Sequence, residues 1–222
     1  LHRTGRDTLT TNTRDLTCGE QSGDLADVDA LVVPEPNSPF SRGELEALQL
    51  FLDSGGGLLL MANHAGSDRN SDGWDPVEIW EEVLESLDPA TGIAINATDD
   101  NDDPCSNFFD DALDPILRGP FGSVGAMGFN RTASFELSPS INGTVQGLVW
   151  ADWQTSRGPV GIFTARVRYG AGRILALGDS APADDGTGAS GDDLYDSWDK
   201  SGQDNDLFHL NATAWLVGDT GD

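Results

Sequence analysis

Residues 29–62 read DALVVPEPNSPFSRGELEALQLFLDSGGGLLLMA. The stretch contains an apolar run that ends at Pro34, a segment with helical periodicity, and a second apolar run, Leu58–Ala62. Short apolar runs bounded by turn residues are typical of buried parallel strands. A strand, a helix and a strand within about thirty residues form a βαβ unit with parallel strands and a right-handed crossover. The stretch therefore predicts an α/β fold.

The helix inside this unit has clear start and stop signals. Ser41 and Glu44 have the spacing of a capping box, in which each side chain bonds to the other residue's backbone N–H. Gly55–Gly57 end the helix, because glycine adopts the left-handed conformation at a C-terminus without strain. One face is apolar and is expected to contact the sheet, through Leu45, Leu48, Phe51 and Leu52.

The rest of the chain continues the alternation of strands and helices. A second helix is predicted after Asp75, with Pro76 in its first turn, and a third over Asp206–Val217. The acidic run Asp99–Asp103 is expected to be a solvated loop, and Thr8–Thr13 a short strand. Further strands are predicted at Ile93–Ile95, Ala133–Leu137, Val145–Trp150, Val160–Tyr169 and Arg173–Gly178. No domain boundary is evident, so residues 1–222 are expected to form a single domain.

The charge limits the classes of partner. The chain has 38 acidic and 12 basic residues, a net charge of −26. Such a surface repels nucleic acid and anionic membranes, so nucleic-acid binding is excluded as a function. No apolar run reaches transmembrane length, so membrane insertion is not expected. An excess of Asp with a single lysine, Lys200, favours a halophilic protein; the alternative is an acidic extracellular protein from a high-GC genome.

Two patterns are compatible with export. Cys18 and Cys105 can form one disulfide if the protein reaches an oxidising compartment. Asn-x-Ser/Thr triplets permit glycosylation of a secreted protein at Asn96, Asn130, Asn142 and Asn211. We expect an extracellular or cell-surface location.

The sharpest local motif is Asp68-x-Asn70-x-Asp72-Gly73. Oxygen ligands at alternate positions, with a glycine that permits a tight turn, suit a hard cation such as Ca²⁺. At the seventh position, Trp74 would supply its backbone carbonyl. The motif predicts a calcium loop; the alternative is an Asx-rich turn that holds no ion.

The closing ligand of this loop is uncertain from the sequence. In an EF-hand a distal glutamate closes the site, but that position falls at Ile79, which cannot coordinate a cation. Asp75 and Glu78 are the nearby carboxylates that could replace it. The same two residues also have the spacing of a capping box for the second helix.

Loops that leave the carboxyl ends of neighbouring parallel strands are where α/β proteins bind ligands. Three loops qualify here: residues 35–40, 63–75 and 179–193. If their strands are neighbours, polar groups from all three converge on one rim. The catalytic candidates are His64, Asp179 and Ser180, and a secondary acidic loop contains Asp184 and Asp185.

Two segments resemble a known family. VDALVVPEPNSPFSRGELEALQLFLDSGGGLLLMANH resembles the core of class I glutamine amidotransferase-like domains, and RVRYGAGRILALGDSAPADDGTG with NATAWL resembles their closing strand and helix. The likeness covers residues 27–87 and 160–217 and is closest to uncharacterised exported microbial relatives. It implies a mostly parallel, flavodoxin-like sheet with helices on both faces. The middle of the chain is not covered, and the strands predicted there indicate an added antiparallel β segment in 130–170.

The chain departs from that family at its catalytic centre. The family's cysteine follows the strand that matches Leu58–Ala62, where this chain has Asn63 and His64, so glutamine hydrolysis through a thiolate is excluded. The family's first strand and helix have no clear match, so either they have been removed upstream of Leu1 or Thr8–Thr13 takes the place of the strand.

Two functions of different classes remain. The first is a non-catalytic, calcium-stabilised interaction or assembly module of an exported, halophilic protein, with a protein partner or self-assembly as its purpose. The alternative is a metal-dependent hydrolase, in which the cation activates water at the rim that contains His64, Asp68, Asp72, Asp179, Asp184 and Asp185. Whether the protein is an enzyme is left open.

Overall fold

The computed structural model describes residues 16–21, 24–108, 113–141, 143–188 and 195–220. These residues form three α-helices and nine strands, which in chain order are β1 (Ala30–Pro34), α1 (Arg42–Asp53), β2 (Gly57–Met61), α2 (Pro76–Ser86), β3 (Ile93–Cys105), β4 (Arg118–Gly119), β5 (Gly122–Ser123), β6 (Met127–Leu137), β7 (Val145–Trp150), β8 (Ile162–Tyr169), β9 (Gly172–Leu177) and α3 (Asn205–Leu216).

The predicted βαβ unit is confirmed. β1 and β2 pair in parallel, and α1 connects them. The capping box that starts α1 is present, because the Glu44 backbone N–H donates to Ser41 Oγ at 3.3 Å and the Ser41 N–H donates to Glu44 Oε2 at 2.7 Å. Gly55 follows the helix with a φ of 104°, which glycine adopts without strain.

The main sheet has seven strands in the order β1-β2-β9-β8-β6-β3, and β7 pairs with β8. Within the described part of the chain, parallel pairing is confined to β1-β2 and β2-β9. The α/β class is confirmed, and so is the antiparallel segment in 130–170, but the sheet is mixed rather than mostly parallel. Gly170 and Ala171 explain part of this difference, because a connection so short permits only an antiparallel hairpin between β8 and β9.

One local prediction is wrong. The acidic run Asp99–Asp103 is not a loop but the second half of β3, which pairs with β6 antiparallel with shifts of register. β3 lies at the end of the sheet, where charged side chains are favoured because they face water and discourage pairing with other chains. Arg131 on β6 bonds Asp99 across the pair at 2.5 Å. The strand predicted at Thr8–Thr13 lies outside the described residues.

Helices cover both faces of the sheet, as predicted. Leu58 and Leu60 of β2 contribute to a core with α1 and α2, whereas Leu59 and Met61 contribute to a core with α3. This alternation follows from the two-residue period of a strand. Gly57 is required where α3 ends, since a Cβ atom there would lie 2.5 Å from the Leu216 carbonyl oxygen.

The predicted disulfide is wrong. Cys18 and Cys105 are both free thiols. Cys18 packs against the core on the α1 and α2 face, and Cys105 belongs to the core on the α3 face. The sheet therefore separates two residues whose Cα atoms must lie within about 7 Å for a disulfide.

The glycosylation candidates differ in accessibility. Asn96 and Asn130 are half-buried, and Asn142 lies outside the described residues. Asn211 is fully buried in α3, where its Nδ2 donates to the Ile116 and Gly122 carbonyl oxygens at 2.9 Å each. Asn211 is therefore a structural bridge from α3 to the β4–β5 region and not a site for a glycan.

None of the helices in the described ranges is both long and apolar enough to cross a membrane.

Replacing the buried asparagine tests its bridging role. Asn211→Ala removes both donor bonds and the bond that its Oδ1 accepts from the Phe121 N–H at 3.0 Å. Unsatisfied buried groups cost about 1–3 kcal/mol each, so we expect a loss of roughly 3 kcal/mol. For a chain of this size that lowers Tm by about 6–12 °C. The control Asn96→Ala should change Tm by no more than about 2 °C, and an equal loss in both variants would contradict the bridge.

The free thiols can be counted directly. The denatured, unreduced protein should react with two equivalents of a thiol reagent, one for each cysteine. In the native protein Cys105 should stay unreactive, because burial raises its pKa to about 12 and the thiolate is the reactive form. Cys18→Ser should leave one equivalent after denaturation. No reaction of the unreduced wild type would show that a disulfide exists.

Candidate functional site

Three parallel strands end side by side at one rim of the sheet. At the end of β1 the Glu35 N–H donates to the Met61 carbonyl oxygen at 3.1 Å, and at the end of β2 the Ala62 N–H donates to the Leu177 carbonyl oxygen at 2.8 Å. The loops that leave β1, β2 and β9 are therefore neighbours. The predicted convergence of these three loops is correct in its topology.

Glu35 is the central side chain of this rim, and sequence reasoning missed it. Its Oε2 lies 2.7 Å from both Nε and Nη2 of Arg69, and its Oε1 accepts a hydrogen bond from the Ser180 hydroxyl. The Glu35 side chain is only 15% exposed. Its φ of 37° is a left-handed value that is uncommon outside glycine and that is frequent at functional positions. The only sequence signal was its place directly after a buried strand.

Asp179 is buried near Glu35 and connects β6 to the turn after β9. It is 2% exposed, and its two oxygens accept backbone N–H bonds from Asn130 at 2.6 Å and Ala181 at 2.9 Å. Burial raises the pKa of Asp179 to about 7; the two N–H donors oppose this, and the nearby charge of Glu35 adds to it. The predicted catalytic residue is therefore an enclosed carboxyl group that ties β6 to the turn after β9.

His64 lies apart from Asp179 in its contacts. Its Nδ1 lies 2.8 Å from the Ala65 carbonyl oxygen, and its backbone N–H donates to Asn63 Oδ1 at 2.7 Å. The pKa of Asp99 on β3 is lowered chiefly by its bond from Arg131, and His64 contributes electrostatically. His64 thus interacts with the acidic strand β3, while Asp179 bonds to β6, and among the described residues no hydrogen bond joins the two. A shared catalytic role for them stays a prediction.

The predicted calcium loop has its oxygens turned inward. Asp68 accepts the Asp72 and Gly73 N–H groups at 3.3 and 2.9 Å, Asn70 Oδ1 accepts the Asp72 N–H at 3.1 Å, and Asp72 Oδ1 accepts the Trp74 N–H at 3.0 Å. Gly73 has a φ of 93°, which permits the tight turn that the motif requires. Asn70 Nδ2 also donates to Asp72 Oδ2 at 2.9 Å. These bonds are those of an Asx-rich turn, and a cation bound by the same oxygens would replace part of them.

Asp75 and Glu78 do not face this loop as ligands. Asp75 Oδ1 accepts the Glu78 N–H at 2.9 Å, and Glu78 Oε2 accepts the Asp75 N–H at 3.1 Å, which is the capping box of α2. The second oxygen of Asp75 accepts the Gly66 N–H at 2.6 Å. The two carboxylates thus form the cap of α2, and that they also close a metal site stays a prediction.

The secondary acidic loop is held by its own backbone. Asp184 accepts N–H bonds from Gly186 at 3.0 Å and Tyr195 at 2.9 Å. Asp185 accepts bonds from the Thr187 N–H at 3.0 Å and the Thr187 hydroxyl at 2.6 Å. Both side chains shape the loop that follows β9.

Elsewhere, one group of three side chains has metal-ligand spacing. Within the described ranges, the group consists of Asp102, Cys105 and Asp152, whose potential ligand atoms all lie within 4.8 Å of one another. The Cys105 thiol there is buried and donates to the Trp150 carbonyl oxygen at 3.2 Å. This group is remote in sequence from the rim residues predicted to bind a catalytic metal.

Comparison with known proteins shows similarity in fold alone. The chain matches no protein-family model and no curated protein sequence. Among solved structures, it is similar to the N-terminal domain of mmIFT52, with 17% identity and a TM-score of 0.51 over 89% of this chain and 80% of that one. It also aligns with a ThuA-like protein from Bacteroides uniformis, with 13% identity and a TM-score of 0.48 over 89% of this chain and 72% of that one.

These findings correct the family resemblance. Placement among class I glutamine amidotransferase-like domains, close to exported microbial relatives, is contradicted, since no family model matches and a solved structure that aligns with a TM-score above 0.5 is the mmIFT52 domain. The quoted segments span β1, α1 and β2, and β9 with α3. Such strand and helix units recur in many unrelated α/β proteins, so their sequence pattern identified the architecture and not the family.

The buried carboxyl group predicts a pH dependence. The folded-state pKa of Asp179 is raised from 3.8 to about 7, so the folded protein retains a proton that the unfolded chain releases. This contribution to stability is complete below pH 3.8 and is lost as the pH rises towards 7. The unfolding free energy of the wild type relative to Asp179→Asn should therefore fall between pH 4 and 7 and stay constant above, as measured by urea denaturation.

The exposed control Glu85→Gln should give a difference from wild type that is nearly constant over pH 5–8. A difference between wild type and Asp179→Asn that does not change with pH would show that Asp179 has an ordinary pKa.

Proposed function

We propose that the protein is a calcium-stabilised interaction module without catalytic activity. The observation that carries the proposal is the inward arrangement of oxygens from Asp68, Asn70 and Asp72 around the backbone of residues 72–74. Flexible oxygen-rich loops of this kind suit Ca²⁺, which takes six to eight oxygen ligands. The Trp74 carbonyl would supply a further oxygen, and water would complete the shell.

The loop is also anchored to the rest of the rim. Asn70 Nδ2 donates to the Asn37 carbonyl oxygen at 2.5 Å, and Arg69 binds Glu35. These bonds hold the loop against the segment after β1. The loop therefore loses less conformational entropy when it binds an ion. Such preorganisation favours binding, because ordering costs oppose it.

An interaction role is favoured by what surrounds the loop. The Trp74 side chain is 40% exposed beside the proposed ion, and exposed aromatic residues are enriched at protein interfaces. The strongly negative surface supports a partner that is not a nucleic acid. An extracellular or cell-surface location in a high-salt habitat agrees with this charge, because salt screens the mutual repulsion of carboxylates.

The alternative of a metal-dependent hydrolase has less support. Its residues engage separate partners: His64 lies at Ala65, Asp179 is enclosed by Asn130 and Ala181, and Asp184 and Asp185 bond to their own loop. A catalytic metal needs several protein ligands within one coordination shell and an open position for water. The described geometry does not bring these side chains to a common point.

Calcium should stabilise the folded protein measurably. A ligand present at 100 times its Kd adds ~2.7 kcal/mol, which for a chain of this size raises Tm by about 5–10 °C. Asp72→Ala should abolish this rise, because it removes a ligand and the bond to the Trp74 N–H. The measurement is thermal unfolding of metal-stripped protein with and without Ca²⁺, and Mg²⁺ should have a smaller effect because it demands stricter octahedral geometry.

The matched control is Glu85→Ala, which removes one exposed negative charge on α2 at a distance from the loop. It should retain the full rise in Tm. The proposal fails if calcium leaves the Tm of the wild type unchanged, or if Asp72→Ala responds to calcium as the control does.

A further inference from the structure

Arg69 belongs both to the proposed calcium loop and to the rim. Its backbone lies between Asp68 and Asn70, the first and second predicted side-chain ligands, while its guanidinium group makes two 2.7 Å contacts with Glu35 Oε2. Any change in the loop that moves the Arg69 backbone therefore acts on Glu35. The neighbouring bond from Asn70 to the Asn37 carbonyl oxygen fixes the same two segments together.

Glu35 transmits this connection to the turn after β9. Its second oxygen accepts the Ser180 hydroxyl. Ser180 precedes a short 3₁₀ turn over Ala181–Ala183, in which the Ala183 N–H donates to the Ser180 carbonyl oxygen at 2.8 Å. The position of Ser180 therefore sets the start of the turn.

The chain of contacts is better protected than an ordinary surface ion pair. The Glu35 and Arg69 side chains are 15% and 52% exposed, whereas in the pair formed by Arg42 and Glu46 on α1 the side chains are 93% and 63% exposed. Exposed pairs contribute little, because water and salt screen them. Charge-assisted bonds to a shielded carboxylate are stronger and more directional, so this one can transmit a local change.

We propose that Arg69, Glu35 and Ser180 form a relay that couples the conformation of the 68–74 loop to the turn at residues 179–184, so that calcium in the loop also orders the turn. The inference rests on the proposed function for its calcium-dependent part. The relay makes the turn the regulated segment of the module, and coupling of this kind is reciprocal between the two segments.

Hydrogen–deuterium exchange of the full-length chain, with and without Ca²⁺, tests the relay. The reporters are the hydrogen-bonded amides of Ala181, Ala183 and Asp184. In the wild type we expect calcium to slow exchange in the loop and, by about 5-fold or more, at these three amides. In Arg69→Gln calcium should slow exchange in the loop alone.

Two further variants separate the relay from general destabilisation. Arg42→Gln breaks the exposed pair on α1 and should behave as the wild type in both segments. Ser180→Ala keeps the pair between Arg69 and Glu35 but cuts the last link, so calcium should again protect the loop and not the turn.

The outcomes are distinguishable from those of the proposed function. The relay is overturned if calcium slows exchange at the turn of Arg69→Gln as much as it does in the wild type. It is also overturned if calcium slows exchange only in the loop of the wild type. In both cases calcium binding itself stands. If calcium protects neither segment, the proposed function fails; the relay is then overturned unless Arg69→Gln speeds exchange at the turn about 5-fold over Arg42→Gln in metal-free protein.

Discussion

Parallel pairing of β2 with both β1 and β9 is the constraint on which the rim depends. Because parallel strands run in the same direction, their carboxyl ends meet at one edge, and three loops distant in sequence leave from adjacent positions. Glu35, the 63–75 loop and Ser180 are neighbours for this reason alone. The antiparallel strands β8, β6, β3 and β7 extend the sheet beyond this unit.

The rim combines an ion pair, in which Glu35 is largely buried and Arg69 is about half exposed, with one enclosed carboxyl group. Arg69 and Ser180 satisfy both oxygens of Glu35, and backbone N–H groups satisfy both oxygens of Asp179. In a chain with a net charge of −26, unpaired carboxylates this close would repel each other. The raised pKa of Asp179 keeps part of this carboxyl group uncharged below about pH 7, and the guanidinium group of Arg69 offsets the charge of Glu35, so the repulsion between the two carboxyl groups is reduced.

The sequence predicts the parts of the fold that depend on local patterns. Capping residues and apolar periodicity located α1 and α2, and the apolar residues near the C-terminus located α3. The continuous apolar run of β2 follows from its burial on both faces. The second half of β3 was missed because its acidic residues resemble a loop, and only pairing with β6 across long sequence separation makes it a strand. Family membership was misjudged because βαβ units have similar patterns in unrelated proteins.

The site was predictable only where its residues are consecutive. The spacing of Asp68, Asn70 and Asp72 is visible in the sequence, whereas the contacts of Glu35 with Arg69 and Ser180 join residues 34 and 145 positions apart. The periodicity of apolar residues along the sequence does not predict a contact between residues so far apart. Likewise, the capping role of Asp75 and the burial of Asp179 depend on backbone groups that become neighbours only after folding.

The most direct measurement is a crystal structure of the protein grown in millimolar Ca²⁺, with the ion located by its anomalous scattering. The account predicts one ion that is about 2.3–2.6 Å from side-chain oxygens of Asp68, Asn70 and Asp72 and from the Trp74 carbonyl oxygen. An ordered 68–74 loop without an ion, or an ion bound only elsewhere, would contradict the calcium-stabilised module.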